Sequence, residues 1–126
     1  MVPYGPEGTA VELADAFVSL ELEYAALRKR CVVIDRPDRG LIEVTGDDRI
    51  AFLNNMITQE LKDLSPGDVT ASFWLNRKGR VDADLRVITL NDRLLLEADA
   101  HAVVSSIESL GGYVFAESVE MSDITA

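Results

Sequence analysis

Two aspartates one residue apart, Asp82 and Asp84, are the side chains of this sequence whose type and spacing suggest chemistry. They lie in the stretch NRKGRVDADLRV, residues 76–87, which also gathers three cations around one glycine. Neighbouring carboxylates could serve a general acid or base, or bind a cation. No cluster of His or Cys accompanies them, and two carboxylates alone specify no metal, so we expect no metal site.

A strand must hold these aspartates. In VDADLRVITL the residues at odd positions from 81 to 87 are apolar and share one face, whereas Asp82, Asp84 and Arg86 share the other. The two carboxylates are therefore predicted to point the same way. Arg86 could neutralise Asp84 on a solvated sheet face, and this simple interpretation stays open beside a functional one.

Three helices are predicted from capping residues and apolar spacing. The first begins at Thr9 as N-cap and runs to the basic triplet RKR, where cations offset the helix dipole. The second covers RIAFLNNMIT behind a capping box of Thr45 and Asp48. The third follows Asp99 as a cap and stops at the glycine pair 111–112.

Six segments are strand candidates: CVVID, GLIEV, TASFWLN, GRVDADLRVITL, RLLLEAD and YVFAESVEM. The first two predict a hairpin across the turn RPDRG. Short turns between consecutive strands favour antiparallel pairing. We therefore predict an α+β fold with an antiparallel sheet of roughly five or six strands and about three helices, in a single domain over residues 1–126.

The charge balance excludes some classes of partner. The chain carries 22 acidic and 12 basic side chains, a formal charge of −10, which disfavours nucleic acid and anionic membrane surfaces. Its single cysteine, Cys31, cannot form an internal disulfide and is expected to be buried as a small apolar residue. The first residues show neither a basic leader nor a long apolar run, so we expect a reducing, cytoplasmic location.

Residues 23–125 resemble, in an ordered series of motifs, the N-terminal part of the folate-binding aminomethyltransferase superfamily. The pieces that carry the resemblance are VVIDRPDRGLIEVTGDD before AFLNNMIT, the turn LSPGD, and the hairpin LNRKGRVDADLRV. The superfamily includes the glycine-cleavage T-protein and the YgfZ-type folate-binding proteins, which are implicated in iron–sulfur cluster maintenance.

The resemblance implies tetrahydrofolate as the ligand and a catalytic role at the folate for Asp84. It also implies that Arg39, Asp99 and Trp74 join Asp84 in binding folate. Two of these residues have simpler interpretations, since Trp74 could be sheet packing and Asp99 a plain helix cap. A carboxylate near the folate nitrogens could take and return a proton, while Arg86 nearby would favour the ionised form.

The sequence also departs from the T-protein pattern. An Asp-x-Ser-His-Met-like segment is replaced by DRPDR at 35–39, Ala71 stands where an aromatic residue lines the folate site, and Ile88 replaces a tyrosine. These departures disfavour classical glycine cleavage, and Asp99, where the T-protein tends to carry asparagine, fits the YgfZ-type pattern better, as does the basic tip NRKGR. We therefore expect a YgfZ-type accessory factor in iron–sulfur cluster maintenance. An aminomethyltransferase of the glycine cleavage system and a non-catalytic assembly module that kept the fold remain as alternatives.

Members of the superfamily are roughly two to three times longer than this chain. The YgfZ-type Lys-Gly-Cys-Tyr motif is absent from the 126 residues. We therefore expect the N-terminal part of a longer protein, with a weak or incomplete tetrahydrofolate site. Its expected partners are folate, the remaining domains or another protein, and a second copy through an exposed apolar edge.

Overall fold

The computed structural model describes residues 2–7 and 12–125. By their contacts these residues fall into two compact units, Met1–Asp38 and Arg39–Ala126. The single domain expected over 1–126 stays a prediction.

The first unit contains little regular structure. Strand β1 (Val2–Pro3) pairs antiparallel with strand β2 (Glu12–Leu13), and helix α1 spans Leu20–Lys29. None of the residues of α1 is buried. The helix therefore presents apolar side chains to solvent, among them Leu20 and Tyr24.

The predicted start of this first helix is wrong. The expected cap, Thr9, lies outside the described residues, but Glu12 and Leu13 form a strand and the helix begins only after Ser19. The Ser19 hydroxyl accepts a hydrogen bond from the amide of Leu22, and the Glu23 carboxylate accepts from the amides of Phe17 and Val18. These backbone hydrogen bonds lower the pKa of Glu23 and fix the helix start at Ser19.

The predicted hairpin between CVVID and GLIEV is also wrong. Residues 31–36 form neither helix nor strand, and Cys31 is exposed rather than buried. GLIEV does form a strand, but both of its edges are occupied by other antiparallel strands, namely Leu94–Asp99 and Glu120–Asp123. CVVID therefore has no free edge of this strand to pair with.

The second unit is a mixed α+β structure. Its elements, in chain order, are β3 (Arg39–Thr45), α2 (Arg49–Met56), β4 (Val69–Leu75), β5 (Val81–Thr89), β6 (Leu94–Asp99), a short 3₁₀ helix (Ala100–Ala102), α3 (Val103–Gly111) and β7 (Glu120–Asp123). The sheet order is β4-β5-β6-β3-β7, and every strand pair among the described residues is antiparallel. The predicted α+β class with an antiparallel sheet of five or six strands and about three helices is confirmed: this sheet has five strands, and α1 of the first unit is the third helix beside α2 and α3.

One face of this sheet carries the core. Ile42 and Val44 of β3 and Leu94 and Leu96 of β6 are 1% exposed or less, and α2 and α3 contribute further buried apolar residues. Each fully buried aliphatic side chain of this kind stabilises the fold by about 1.5–3 kcal/mol. The other face bears the alternate residues of the strands, which are half-buried or exposed, and is called here the open face.

Two helix starts and the last strand differ from expectation. The Asp48 side chain makes no cap to α2, because its carboxylate accepts a hydrogen bond from the amide of Ser118 at 2.7 Å. Asp99 likewise makes no side-chain cap to the 3₁₀ helix that follows it. The final strand covers only Glu120–Asp123, although YVFAESVEM predicted a longer one.

No helix in the described ranges combines the length and the apolar character needed to cross a membrane.

The turn at Gly46 generates a prediction about stability. Gly46 has a φ of +107°, and a Cβ there would collide with the carbonyl of Ser118, whereas Gly79 has a φ of +75° and open space around it. Gly46→Ala should lower the free energy of unfolding by more than about 3 kcal/mol, because strain and collision add. Gly79→Ala should cost only about 1 kcal/mol, from strain alone. Urea denaturation of both variants measures the difference, and equal costs would contradict this account of the turn.

Candidate functional site

Strand β5 places the two aspartates on the open face, as the alternation predicted. Ala83, Leu85 and Val87 are buried, while Asp82 and Asp84 are exposed. The antiparallel register sets Asp84 directly opposite Phe73 of β4. Facing residues in such a pair have Cβ atoms about 5 Å apart, so an exposed aromatic ring and a carboxylate are neighbours at this point.

Asp82 and Asp84 differ in their partners. The side-chain amide of Asn76 donates to Oδ1 of Asp82 at 3.2 Å, and the same Asn76 accepts from the amides of Lys78 and Arg80 through its Oδ1. Asp82 is thus tied to the hairpin turn. Asp84 has no side-chain hydrogen bond or ion pair with another residue of the described ranges, so its carboxylate can accept one from a ligand.

The expected pairing of Arg86 with Asp84 is not found. Arg86 instead binds Glu97 of β6, the residue opposite it in the register, with Nη1 and Oε2 3.3 Å apart. Glu97 also receives the Nε of Arg39 at 2.9 Å, and Arg39 in turn binds Asp99 at 2.7 Å. These four side chains form a charge chain across β5, β6 and β3, in the order Arg86, Glu97, Arg39 and Asp99.

Arg39 is the centre of the charge chain and is its most buried member. Its side chain is 17% exposed, and that partial burial by itself would lower its pKa. The hydrogen bonds to Glu97 and Asp99 outweigh burial, and the pKa of Arg39 is raised. Arg39 is therefore held as a cation between two carboxylates.

Sequence reasoning identified Arg39, Asp84 and Asp99 but missed Glu97. The structure brings Arg39 and Asp99 into contact and places Asp84 on the same face. Glu97 had a signal in the sequence, because it interrupts the apolar run of β6 at a position facing away from the core. Its partners, Arg39 and Arg86, could not be predicted from the sequence, because they lie 58 and 11 residues away along the chain.

Trp74 lies on the opposite face from Asp84. It is 6% exposed, belongs to the core, and its ring meets Tyr113 edge to face with centroids 5.8 Å apart. This location agrees with the packing interpretation. Within the second unit, the aromatic residue beside Asp84 is Phe73, which is 44% exposed.

The basic residues of the hairpin tip do not act as one group. Arg77 has a raised pKa because its guanidinium bonds to the Tyr113 side chain. Lys78 and Arg80 are exposed, and their backbone amides are held by Asn76.

No group of three or more His, Cys, Asp or Glu side chains that could hold a metal ion occurs within residues 2–7 and 12–125.

In the first unit, the segment at 35–38 lines an apolar groove of about 610 Å³ together with residues of α1. Arg36 binds the carboxylate of Asp38 through two hydrogen bonds, at 2.8 and 2.6 Å, and Asp38 is buried. The residues that replace the T-protein-like segment therefore form an internal ion pair.

The charge chain predicts an unequal effect of removing two arginines. Arg39→Met keeps the side-chain stem but removes the guanidinium that two half-buried carboxylates share and leaves Glu97 with only the exposed Arg86, so it should lower the free energy of unfolding by about 2 kcal/mol. Arg93→Met removes an exposed partner of Glu43 on the same face and should cost much less. Urea denaturation at neutral pH compares the two, and similar losses would show that the Arg39 contacts are only surface ion pairs.

The comparisons with known proteins agree with this fold. The family described as GCVT N-terminal domain matches residues 3–126. An aminomethyltransferase of Geobacillus sp. (strain WCH70) is 32% identical over 115 residues, which are 90% of this chain and 31% of that protein. An aminomethyltransferase of Bacillus velezensis is 37% identical over 76 residues, 60% of this chain and 21% of that protein.

A solved structure is also similar. The crystal structure of glycine cleavage system aminomethyltransferase T from Bartonella henselae has a TM-score of 0.65 and 23% identity, and it covers 69% of this chain and 24% of that one. The chain spans about a third or less of the length of these relatives. With the family match over nearly its whole length, the chain belongs to the GCVT N-terminal domain family, the N-terminal part of the folate-binding aminomethyltransferase superfamily.

Proposed function

We propose that this chain is the N-terminal part of a tetrahydrofolate-binding protein that transfers a one-carbon unit, with Asp84 as the carboxylate that meets the folate. One observation carries the proposal. The three central strands, β5, β6 and β3, bear five carboxylates on the open face, and four of them are bound to Asn76 or to arginines. Asp84 is the fifth, and no other described residue binds it.

The surroundings of Asp84 fit a folate. The pterin of tetrahydrofolate keeps one planar ring with N–H donors at its edge, and the exposed ring of Phe73 beside an unbound carboxylate offers both a stacking surface and an acceptor. Tetrahydrofolate supplies the nitrogen atoms that accept the one-carbon unit. The carboxylate of Asp84 would accept a hydrogen bond or a proton at those nitrogens, which is the role of a general base.

Arg39 and Asp99 have a different part in this proposal. Because they bind each other at 2.7 Å, neither is a free charge waiting for a ligand. They would contact folate while still bound to each other, and the N–H groups of Arg39 that are not used by Glu97 and Asp99 would donate hydrogen bonds to it. Trp74, which is buried behind the sheet, would support the site by packing rather than by stacking on the pterin.

The names of the curated relatives favour a transferase over an accessory factor. The proteins from Geobacillus and Bacillus velezensis are both aminomethyltransferases. A YgfZ-type accessory role in iron–sulfur cluster maintenance is the second candidate, and the ion pair of Arg36 with Asp38 supports it. That pair occupies the position of the T-protein-like His and Met segment and leaves no histidine there.

The proposal predicts different effects of two neighbouring substitutions in the natural protein that carries this chain. Asp84→Asn keeps the shape and removes the proton-accepting charge, so transfer to tetrahydrofolate should fall by about 100-fold or more. Asp82→Asn is the matched control, since Asp82 binds the turn through Asn76, and it should leave transfer nearly unchanged. Folate binding by calorimetry and one-carbon transfer are measured for both variants.

Three results of that comparison have distinct meanings. A selective loss of transfer in Asp84→Asn supports the transferase. Folate binding by the unmodified protein without any transfer favours the accessory role. Equal, negligible effects of the two substitutions on binding and transfer would remove Asp84 from the site.

A second prediction concerns residues 1–126 alone. The described open face is a surface rather than an enclosed cavity, so a bound pterin would stay largely hydrated. Tetrahydrofolate should bind the isolated chain with a Kd weaker than roughly 100 µM. Calorimetry tests this, and micromolar or tighter binding would contradict the expectation that later parts of the protein complete the site.

A further inference from the structure

Arg86 lies between two carboxylates and binds only one of them. Glu97 stands across from it on β6, and Asp84 precedes it by two residues on the same face of β5. The Cα atoms of Asp84 and Arg86 are about 6.6 Å apart along a strand, a span that an arginine side chain reaches easily. In the structure, Arg86 nevertheless binds Glu97, at 3.3 Å.

The orientation of Glu97 explains this choice. Its Oε1 accepts from the Nε of Arg39 at 2.9 Å, and its Oε2 is the atom that meets Arg86. Arg39 is itself held by Asp99. Glu97 is 21% exposed, so its charge is less screened than that of a solvated carboxylate, and its contact with Arg39 holds its other oxygen toward Arg86.

Few other charges face Asp84. On β5 they are Asp82, which is bound by Asn76, and Arg86. Strand β4 offers Phe73 and Ala71 on this face, and neither is charged. Strand β6 offers Glu97, which is bound by Arg86 and Arg39, and Asp99, which lies two residues further along the strand and is bound by Arg39. Arg86 is thus the cation nearest to Asp84 along its strand, and its partner decides how Asp84 is paired.

We infer that Glu97 is a positioning residue for Asp84. By holding Arg86 and Arg39 with its two oxygens, Glu97 keeps Arg86 from pairing with Asp84 and leaves that carboxylate unpaired for the ligand. This inference rests on the proposed function, in which Asp84 meets the folate. Glu97 touches no ligand in this scheme and acts only through Arg86.

The contact itself can be tested in the natural protein that carries this chain. Glu97→Gln keeps the size of the side chain and removes its charge, so a crystal structure of this variant should show Arg86 within 4 Å of Asp84, the ion-pair distance. Glu43→Gln is the matched control, because Glu43 is 22% exposed and binds Arg93 on the same face. In that variant, Arg86 should stay on Glu97. If Arg86 does not approach Asp84 in the Glu97→Gln structure, the inference is wrong.

The consequence is tested by the pH–rate profile of the natural protein. Glu97→Gln should lower kcat about two- to fivefold with little change in KM, because pairing with Arg86 weakens Asp84 as a proton acceptor. The acidic limb of the profile should move to lower pH. The double variant Arg86→Gln and Glu97→Gln removes both charges and should restore the original profile, which a merely structural role of Glu97 would not predict.

Two outcomes would overturn this consequence. The first is a Glu97→Gln profile like that of Glu43→Gln, and the second is a double variant no better than Glu97→Gln alone. Failure of the proposed function looks different, because the unmodified protein would then neither bind nor use tetrahydrofolate. The distance between Arg86 and Asp84 in the variant structure still decides what Glu97 does.

Discussion

The one-sided burial of the five-stranded sheet is the constraint on which the site depends. Ile42, Leu85 and Leu96, on three adjacent strands, are nearly or completely buried, so every second residue of those strands must face the other way. A slip of one residue in β3, β5 or β6 would bury charges without partners, at several kcal/mol each. The same alternation that secures the core therefore fixes which charged side chains share the open face.

Cross-strand register then assigns partners among those charges. Arg39 faces Asp99, Arg86 faces Glu97, and Asp84 faces Phe73. In the first two of these facing pairs the charges are opposite, and the side chains form ion pairs. In the third pair, the aromatic ring of Phe73 cannot neutralise the carboxylate of Asp84. The unbound state of Asp84 is thus a result of sheet geometry, and a ligand with N–H donors can use it without first displacing a protein partner.

How much of this arrangement the sequence predicts depends on how far apart along the chain the interacting residues lie. The alternation in β5 predicted the faces of Asp82 and Asp84 because it is local. The interpretation that pairs Arg86 with Asp84, two residues away, is wrong, because the carboxylate that Arg86 binds belongs to the next strand and is oriented by Arg39, which is still more distant in sequence. Local charge spacing carries no information about such register.

The errors elsewhere have the same origin. CVVID has strong strand character, but the edges of β3 are occupied by strands from far along the chain. Asp48 and Asp99 are common capping residues, yet their carboxylates bind the amide of Ser118 and the guanidinium of Arg39. The first helix begins after Ser19 and not at the predicted cap, because the Ser19 hydroxyl and the carboxylate of Glu23 bind backbone amides at that point.

A crystal structure of the natural protein that carries this chain, with tetrahydrofolate bound, would test the central claim most directly. The distance to measure joins the Asp84 carboxylate to the nearest folate nitrogen. The account predicts a hydrogen bond of about 3 Å, with the pterin against Phe73 and Arg86 still bound to Glu97. A folate that leaves Asp84 in solvent, or that occupies a surface away from the open face, would contradict it.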